Sequence, residues 1–333
     1  MKLFFKFLLI FFLPFLVNIH ANIRMGIISD SNFCGEREFG WRIKIAAESL
    51  GWEVFLDETR GSRIHKFKEP DWVICLIPHN AILHPKCMNY LTILHPLNFL
   101  DQRRQLLPYY SNYDGYLITI NDKESIESSL KTMNKELFSI PFYPTVHMVP
   151  YQIVALNNLV TMIPTWGNRL TDKKFRKLYS LLSKSGSVKF YGSHRNADTI
   201  TDGFMGNIPF DGTSLINILQ KHGIVLILHS DIHNAEGIPT SRIFEASAAS
   251  TVIISDENAF VKKYFGDSVF YIDTSLPAES VFMQIQEHLN NIFSNPEHAL
   301  EKAKTAHEIF IDNFLMTDQL IKLKAMHQEI RVK

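Results

Sequence analysis

The sequence predicts an α/β protein with two doubly wound, Rossmann-like domains that face each other across a cleft. Three observations lead to this fold class. The chain has 333 residues, which is enough for two domains of ordinary size. Short apolar segments alternate with amphipathic segments of helical period, as in parallel sheets covered by helices. A proline-rich stretch, Ile140–Pro150, separates one such alternation from the next.

The first alternation lies within residues 22–150, the predicted N-terminal domain. Its predicted strands are 23–29, 53–56, 71–77, 90–94 and 113–120, and its predicted helices are 40–50 and 123–133. Between the first strand and the first helix, the run Gly35-Glu-Arg-Glu-Phe-Gly40 predicts a charged loop. It lacks the Gly-x-Gly-x-x-Gly spacing of dinucleotide-binding proteins.

The second alternation lies within residues 151–333, the predicted C-terminal domain. Its predicted strands are 158–163, 188–191, 225–228, 251–254 and 269–272. Its predicted helices are 172–183, 214–222, 242–249, 278–293 and 297–314, followed by a helical tail to about residue 330 that could cross back to brace both domains.

The most informative segment is His229–Asp256, which reads as a polar loop, a short helix and a buried strand. The loop follows a predicted strand, and open parallel sheets bind ligands at the carboxyl ends of their strands. The helix would begin near Ser241 and offer free backbone N–H groups to an anion. Arg242 lies one residue inside it, and Glu245 shares its face. A cation for a diphosphate and a carboxylate for sugar hydroxyls indicate a nucleotide-sugar site.

Each of these residues also has a purely structural interpretation. Arg242 and Glu245 could form an ordinary ion pair on a helix surface. Ser241 could cap the helix without any ligand, and both roles are compatible.

The segment from Arg242 to Asp256, Arg-Ile-Phe-Glu-Ala-Ser-Ala-Ala-Ser-Thr-Val-Ile-Ile-Ser-Asp, resembles the donor-binding segment of group 1 glycosyltransferases of GT-B architecture. The resemblance is strongest to the branch of the CgeB/YkvP-type spore-protein glycosyltransferases. It extends to Gly186–Gly192, Gly206–Gly212 and Phe265–Asp273, about 160 residues in all. The sequence departs from the family at Ser250, where the family usually has a glycine.

The resemblance implies metal-independent transfer of a sugar from a nucleoside diphosphate to an acceptor hydroxyl of a glycan, lipid or protein. The C-terminal domain would hold the donor and the N-terminal domain the acceptor, with the nucleotide sugar as co-substrate and no other cofactor. The predicted donor-binding residues are Arg169, Tyr191, Gly192, His229, Ser230, Ser241, Arg242 and Glu245. Arg169 could instead face solvent, and packing is the commoner role of an aromatic residue such as Tyr191.

Two carboxylates of the first domain are candidates for a catalytic base. Glu36 and Glu38 lie between the first strand and the first helix, where the resemblance places the acceptor. A solvated charged loop is the alternative for either residue. His79, His84 and His95 follow strand ends and are rival bases.

Composition excludes several classes of function. The formal net charge is zero, which gives no reason to expect a nucleic-acid partner. The three cysteines form neither a disulfide framework nor a metal motif, and the polar loop at His229 lacks metal-ligand spacing.

Residues 1–21 read as a signal peptide or an N-terminal anchor, with two lysines before an apolar run. Cleavage predicts a secreted, periplasmic or lumenal protein, and retention predicts membrane association. Because nucleotide sugars are made in the cytosol, three explanations stay open: a lumen supplied with donor, an anchor facing the cytosol, or a true start at Met25. The leader and Ser250 also favour the alternative function, a non-catalytic secreted two-lobed protein that binds a solute or carbohydrate.

Overall fold

The computed structural model describes residues 23–78, 80–93, 110–119, 128, 138–164, 168–193 and 198–332. The predictions for the leader, for His79 and His95, and for most of the helix at 123–133 therefore lie outside the described residues. Within the described part of the chain, no helix combines the length and apolar character needed to cross a membrane.

The first domain is built on a six-stranded sheet in which every pair of neighbouring strands is parallel. Its strands are β1 (Arg24–Ile28), β2 (Glu53–Asp57), β3 (Trp72–Cys75), β4 (Met88–Ile93), β5 (Gly115–Ile118) and β6 (Ser139–Pro141). Their order in space is β2-β1-β3-β4-β5-β6. The strands are mostly buried, as expected for a sheet with helices on both faces.

The second domain repeats this plan with another parallel six-stranded sheet. Its strands are β7 (Asn158–Met162), β8 (Val188–Tyr191), β9 (Phe204–Gly206), β10 (Gly223–Ile227), β11 (Val252–Asp256) and β12 (Phe270–Ile272). The spatial order is β12-β11-β10-β7-β8-β9, so the direction of winding reverses between β7 and β10. A crevice opens beyond the carboxyl ends of strands at such a reversal, and it is the usual ligand site of open α/β sheets.

Ten helices of the described residues accompany these sheets. They are α1 (Cys34–Ser49), α2 (Asn168–Thr171), α3 (Lys173–Lys184), α4 (Ser214–His222), α5 (Asp231–Ala235), α6 (Ser241–Ala248), α7 (Ala259–Phe265), α8 (Ala278–Ser294), α9 (Pro296–Asn313) and α10 (Met316–Val332). The prediction of two doubly wound α/β domains is confirmed.

The predicted loop at Gly35–Gly40 is wrong, because α1 already begins at Cys34. Phe39 and Ile43 begin a buried stripe at helical spacing that covers the first sheet. Gly40 allows the close approach, since a Cβ there would lie 3.1 Å from Leu56 Cδ1. Its role is helix-to-sheet packing rather than chain reversal.

Five other helices and strands were not predicted. The proline-rich stretch contributes β6, which pairs with β5 at the edge of the first sheet. The others are β9, α2, α5 and α7, which have three, four, five and seven residues. Segments this short hold too few residues to show a period.

Within the described residues the chain crosses between the domains twice, and the two crossings run side by side. Thr145 Oγ1 donates a hydrogen bond of 2.7 Å to the carbonyl of Phe314, and Met316 N–H donates one of 3.0 Å to the carbonyl of Val146. Helix α10 then packs on α1 and β6, where Leu320 and its neighbours complete the core of the first domain. The predicted return of the last helix is thus confirmed.

Ser250, the departure from the family pattern, occupies the backbone conformation that a glycine usually provides. Its φ is +58°, in the left-handed region that favours glycine. Its buried hydroxyl accepts a hydrogen bond from Gln152 N–H at 3.3 Å and lies 3.4 Å from His307 Nδ1. The turn is therefore retained, with side-chain contacts that glycine could not make.

Candidate functional site

The carboxyl ends of the two sheets face each other. Ile238 follows β10 in the second domain, yet it belongs to the buried cluster of the first domain that contains Ile28 and Ile77. Ile28 ends β1, and Ile77 lies two residues beyond β3. Residues at the carboxyl ends of β1 and β3 therefore meet a residue that follows β10 at the interface between the two domains.

Three buried polar atoms near the winding reversal of the second sheet make no well-directed hydrogen bond with the described residues. They are Arg169 Nε, Tyr179 Oη and His229 Nε2. Arg169 and Tyr179 line one recess, and the Tyr179 hydroxyl lies close enough to Arg169 and to Asp256 to respond to both charges. Because these side chains meet at the edge where open parallel sheets usually bind ligands, they form a candidate ligand site.

His229 is fixed by Asp256. Both side chains are fully buried, and His229 Nδ1 lies 2.6 Å from Asp256 Oδ1, while the backbone N–H of His229 donates to Oδ2 at 2.8 Å. Burial alone would raise the pKa of Asp256, but its contacts with His229 and Asn234 lower it. An ionised Asp256 favours the tautomer with the proton on Nδ1, and Nε2 has no hydrogen-bond partner among the described residues.

Ser230 and His233 form a local pair in the same loop. The Ser230 hydroxyl caps α5 and lies 2.5 Å from His233 Nδ1. The run from His229 to His233 is thus partly helical, not a loop throughout, and the contacts of Ser230 orient this turn.

Glu245 is fully buried and lies between two arginines. Arg242 Nη1 is 2.6 Å from Glu245 Oε2, and Arg42 Nη2, from helix α1 of the first domain, is 2.7 Å from Oε1. Burial alone would raise the pKa of Glu245, but the two guanidinium groups lower it to about 2. Oε1 receives no well-directed hydrogen bond from the described residues, although it lies at ion-pair distance from Arg42.

Glu38 is engaged on both carboxylate oxygens. Arg42 Nη2 donates to Oε1 at 2.8 Å, and the backbone N–H of Gly212 donates to Oε2 at 3.0 Å. The side chain of Glu38 is 6% exposed. In this arrangement Glu38 joins the domains, and each of its oxygens already accepts a hydrogen bond.

Glu36 differs from Glu38 in its surroundings. It lies in the first turn of α1, just beyond β1, and is partly buried. Burial raises its pKa, and the charge of Asp30 adds to that rise. A carboxyl group whose pKa is raised by burial is a candidate for proton transfer.

Helix α6 begins without a side-chain cap. Its N-cap residue is Thr240, which makes no capping hydrogen bond, and Thr240 Oγ1 is buried without a partner among the described residues. Ser241 is the first residue of the helix. The backbone N–H groups of this turn are therefore not satisfied by the Thr240 side chain.

Tyr191 and Gly192 have structural contacts in the second domain. Tyr191 is 8% exposed, packs in the core, and places its hydroxyl 3.0 Å from His222 Nε2. Gly192 adopts φ +139° and donates a hydrogen bond to the carbonyl of Gly206. A Cβ at Gly192 would lie 3.0 Å from Ile163 Cβ. Tyr191 thus packs in the core, which is the alternative to a donor-binding role that the sequence left open.

Sequence reasoning missed two residues of this site, Arg42 and Tyr179. Arg42 is four residues after Glu38 on α1, so the i, i+4 spacing was visible, but such a pair usually lies on a solvent-exposed face. Tyr179 lies on an amphipathic helix where an aromatic residue suggests packing. Within the described residues, no group of three or more His, Cys, Asp and Glu side chains is placed to hold a metal ion.

No protein-family model and no curated protein matches the sequence. The fold is similar to several solved structures. An α-glucosyltransferase in complex with UDP and a 13-mer DNA superposes with a TM-score of 0.58 at 12% identity, over 91% of this chain and 99% of that one. A glycosyltransferase from Rickettsia africae gives 0.54 at 13% identity, over 93% and 98%.

TarM from S. aureus, solved as a mutant with fondaparinux, α-GlcNAc-glycerol and UDP, gives a TM-score of 0.51 at 16% identity. The match covers 77% of this chain and 55% of TarM, so this chain spans about half of the length of TarM. These likenesses show that the chain has the GT-B fold, with two Rossmann-like domains.

Proposed function

We propose that this protein is a glycosyltransferase that moves a sugar from a nucleoside diphosphate donor to an acceptor hydroxyl. The observation that carries the proposal is the group of buried polar atoms on Arg169, Tyr179 and His229 at the winding reversal of the second sheet. The GT-B fold supports it, and so does the resemblance of the Arg242–Asp256 segment to donor-binding sequences.

In this proposal the diphosphate lies at the carboxyl edge between β7 and β10. Arg169 supplies a positive charge, the Tyr179 hydroxyl supplies a hydrogen bond, and the His229 ring lies beside them. The uncapped start of α6 adds backbone N–H groups. In this proposal these groups stabilise the negative charge of the departing diphosphate, and no metal ion is needed for that role.

Glu245 is the proposed partner of the ribose hydroxyls. It is ionised, held by Arg242, and has one oxygen without a directed hydrogen bond. A carboxylate in this state can accept hydrogen bonds from two neighbouring hydroxyl groups.

We prefer Glu36 to Glu38 as the base. The acceptor oxygen would attack C1 of the sugar, the bond from C1 to the diphosphate oxygen would break, and the diphosphate would leave with the electron pair. Glu36 would take the proton of the acceptor hydroxyl. Glu38 is less suited because its side chain is only 6% exposed, is paired with Arg42 and binds the backbone of Gly212.

The diphosphate site is tested by calorimetric titration of UDP, GDP, ADP and TDP. We expect at least one of them to bind, and Arg169→Ala to weaken that binding by about tenfold to a hundredfold, since a hydrogen bond to a charged group contributes about 1.5–3 kcal/mol. Tyr179→Phe should weaken it by less, because only the hydroxyl is lost. Arg331→Ala, an arginine paired with Asp71 on the first domain, is the matched control. Equal affinities in wild type and Arg169→Ala would place the diphosphate elsewhere.

The base is tested by hydrolysis of the matching nucleotide sugar, in which water replaces the acceptor. Glu36→Gln should lower kcat by about a hundredfold with little change in KM. Because the pKa of Glu36 is raised and a base must be ionised, the wild-type rate should fall as pH is lowered. Glu48→Gln, an exposed position on the same helix, should keep the wild-type rate. A normal rate in Glu36→Gln would exclude this role.

One observation favours the alternative of a non-catalytic binding protein, namely that Glu245 is fully buried against the first domain. A protein of that kind would bind a carbohydrate or solute and hydrolyse no nucleotide sugar. The titrations and hydrolysis assays above separate the two functions.

A further inference from the structure

Four charged side chains form a continuous chain across the domain interface, Glu38–Arg42–Glu245–Arg242, which we call the interdomain charge chain. Its centre is Arg42, whose side chain is only 1% exposed. The contact at 2.7 Å between Arg42 Nη2 and Glu245 Oε1 is the link that joins the two domains. A ribose cannot reach Glu245 while this contact is closed.

Arg42 makes few hydrogen bonds with the described residues for a buried guanidinium group. One nitrogen, Nη2, serves both carboxylates, and Nε has no hydrogen-bond partner among the described residues. Removing a charge from water is unfavourable by several kcal/mol, and only good geometry with full hydrogen bonding offsets it. Ligand groups that hydrogen-bond more fully with Glu245 can therefore replace the contact from Arg42 to Glu245.

Gly212 brings helix α1 close enough for this contact. It has φ +83° and donates its N–H to Glu38. A Cβ at Gly212 would lie 2.9 Å from Ile45 Cδ1 and 3.1 Å from Trp41 Cβ, both on α1. The backbone of the second domain thus lies directly against α1, and a larger residue would require Ile45 and the backbone at Trp41 to shift.

We propose that Arg42 is a positioning residue that occupies Glu245 until the donor arrives. The inference rests on the proposed function, since it takes Glu245 as the partner of the ribose. Donor binding then requires α1 to move away from α6, and the two ribose hydroxyls replace Arg42 as partners of Glu245. The apparent affinity for donor is reduced by the fraction of molecules in which Arg42 still covers the site.

Two different changes should open the site. Arg42→Met removes the competing charge and keeps an unbranched side chain of similar length. Gly212→Ala leaves every charge in place and crowds α1 at Trp41 and Ile45 through its added methyl group, which weakens the packing of α1 on the second domain. Gly186→Ala is the matched control, because Gly186 also has a positive φ, +72°, but nothing lies within 4 Å of its Cβ position.

The experiment is calorimetric titration of UDP, GDP, ADP and TDP into the four full-length proteins, with a thermal melt of each to show that it is folded. We expect Arg42→Met and Gly212→Ala to bind the preferred nucleotide at least about threefold more tightly than wild type, and Gly186→Ala to match wild type. A purely structural Arg42 would give unchanged or weaker binding in both variants, and that result would overturn the inference while the proposed function stands. If no nucleotide binds even to wild type, the proposed function fails and the inference fails with it.

Discussion

Glu245→Ala is expected to abolish measurable binding of nucleoside diphosphates and also to destabilise the fold. Two hydrogen bonds from ribose to a carboxylate would be lost, which weakens binding by about a hundredfold or more. The same change removes one partner of the buried Arg42. Breaking a buried ion pair lowers the free energy of unfolding by about 3–5 kcal/mol, and we expect the lower end because Glu38 still pairs with Arg42.

The matched control is Glu38→Ala, which removes the other carboxylate of the same guanidinium. It should lower the free energy of unfolding by a similar amount, measured by urea denaturation. Its affinity for the preferred nucleotide should stay within about threefold of wild type, because Glu38 lies in the first domain and does not contact the ribose in our proposal. Equal loss of binding in Glu38→Ala and Glu245→Ala would show that the charge chain has only a structural role.

The second large effect is a loss of stability in acid that depends on His327. This residue of α10 is 2% exposed, its ring lies 4.7 Å from that of Trp72, and its Nδ1 lies 2.9 Å from the Tyr90 hydroxyl. Burial, with a further contribution from the charge of Arg331, lowers its pKa to about 4. The unfolded chain therefore takes up this proton at a higher pH than the folded protein does.

The stabilising contribution is complete above the unfolded pKa of about 6.5 and is lost as the pH falls toward about 4. Between pH 7.5 and pH 4.5 we expect His327 to account for a fall of about 2–3 kcal/mol in the free energy of unfolding. The pKa of His147 is also lowered to about 4, by burial and by the charge of Arg42. His147 should therefore also lower the free energy of unfolding as the pH falls.

The measurement is urea denaturation at both pH values in wild type and in His327→Phe. The variant keeps a ring against Trp72 and loses the hydrogen bond with Tyr90 at every pH, so its stability is lower throughout. The difference between the two pH values should shrink by about 2–3 kcal/mol in the variant. An unchanged difference would assign the acid sensitivity to other groups.

The sequence predicts this fold well because its signals are local. Segments such as Ser214–His222 show a helical period over several turns, and the structure has a helix with the same bounds. The error at Gly35–Gly40 arose because two glycines and a run of charges resemble a loop. Only the buried stripe that continues through Ile43 shows that the segment is helical.

The candidate site is less predictable, because its contacts join residues far apart in the chain. Arg42 and Glu245 are separated by 203 positions, and their pairing follows from how the domains dock. Likewise, nothing local to Tyr179 distinguishes a ligand-facing hydroxyl from a packed ring. The motif resemblance was enough to predict that Arg242 and Glu245 belong to a site. Identifying the residues that contact them required the tertiary structure.

The return of α10 to the first domain affects how the chain can fold during synthesis. Domains at the N-terminus usually fold first, while the ribosome is still making the rest. Here Met316, Leu320 and Leu323 supply part of the core around Ile43, so that core stays incomplete until α10 has been translated. A fragment that stops near residue 150 would present an uncovered apolar face, and we expect it to aggregate or to recruit chaperones.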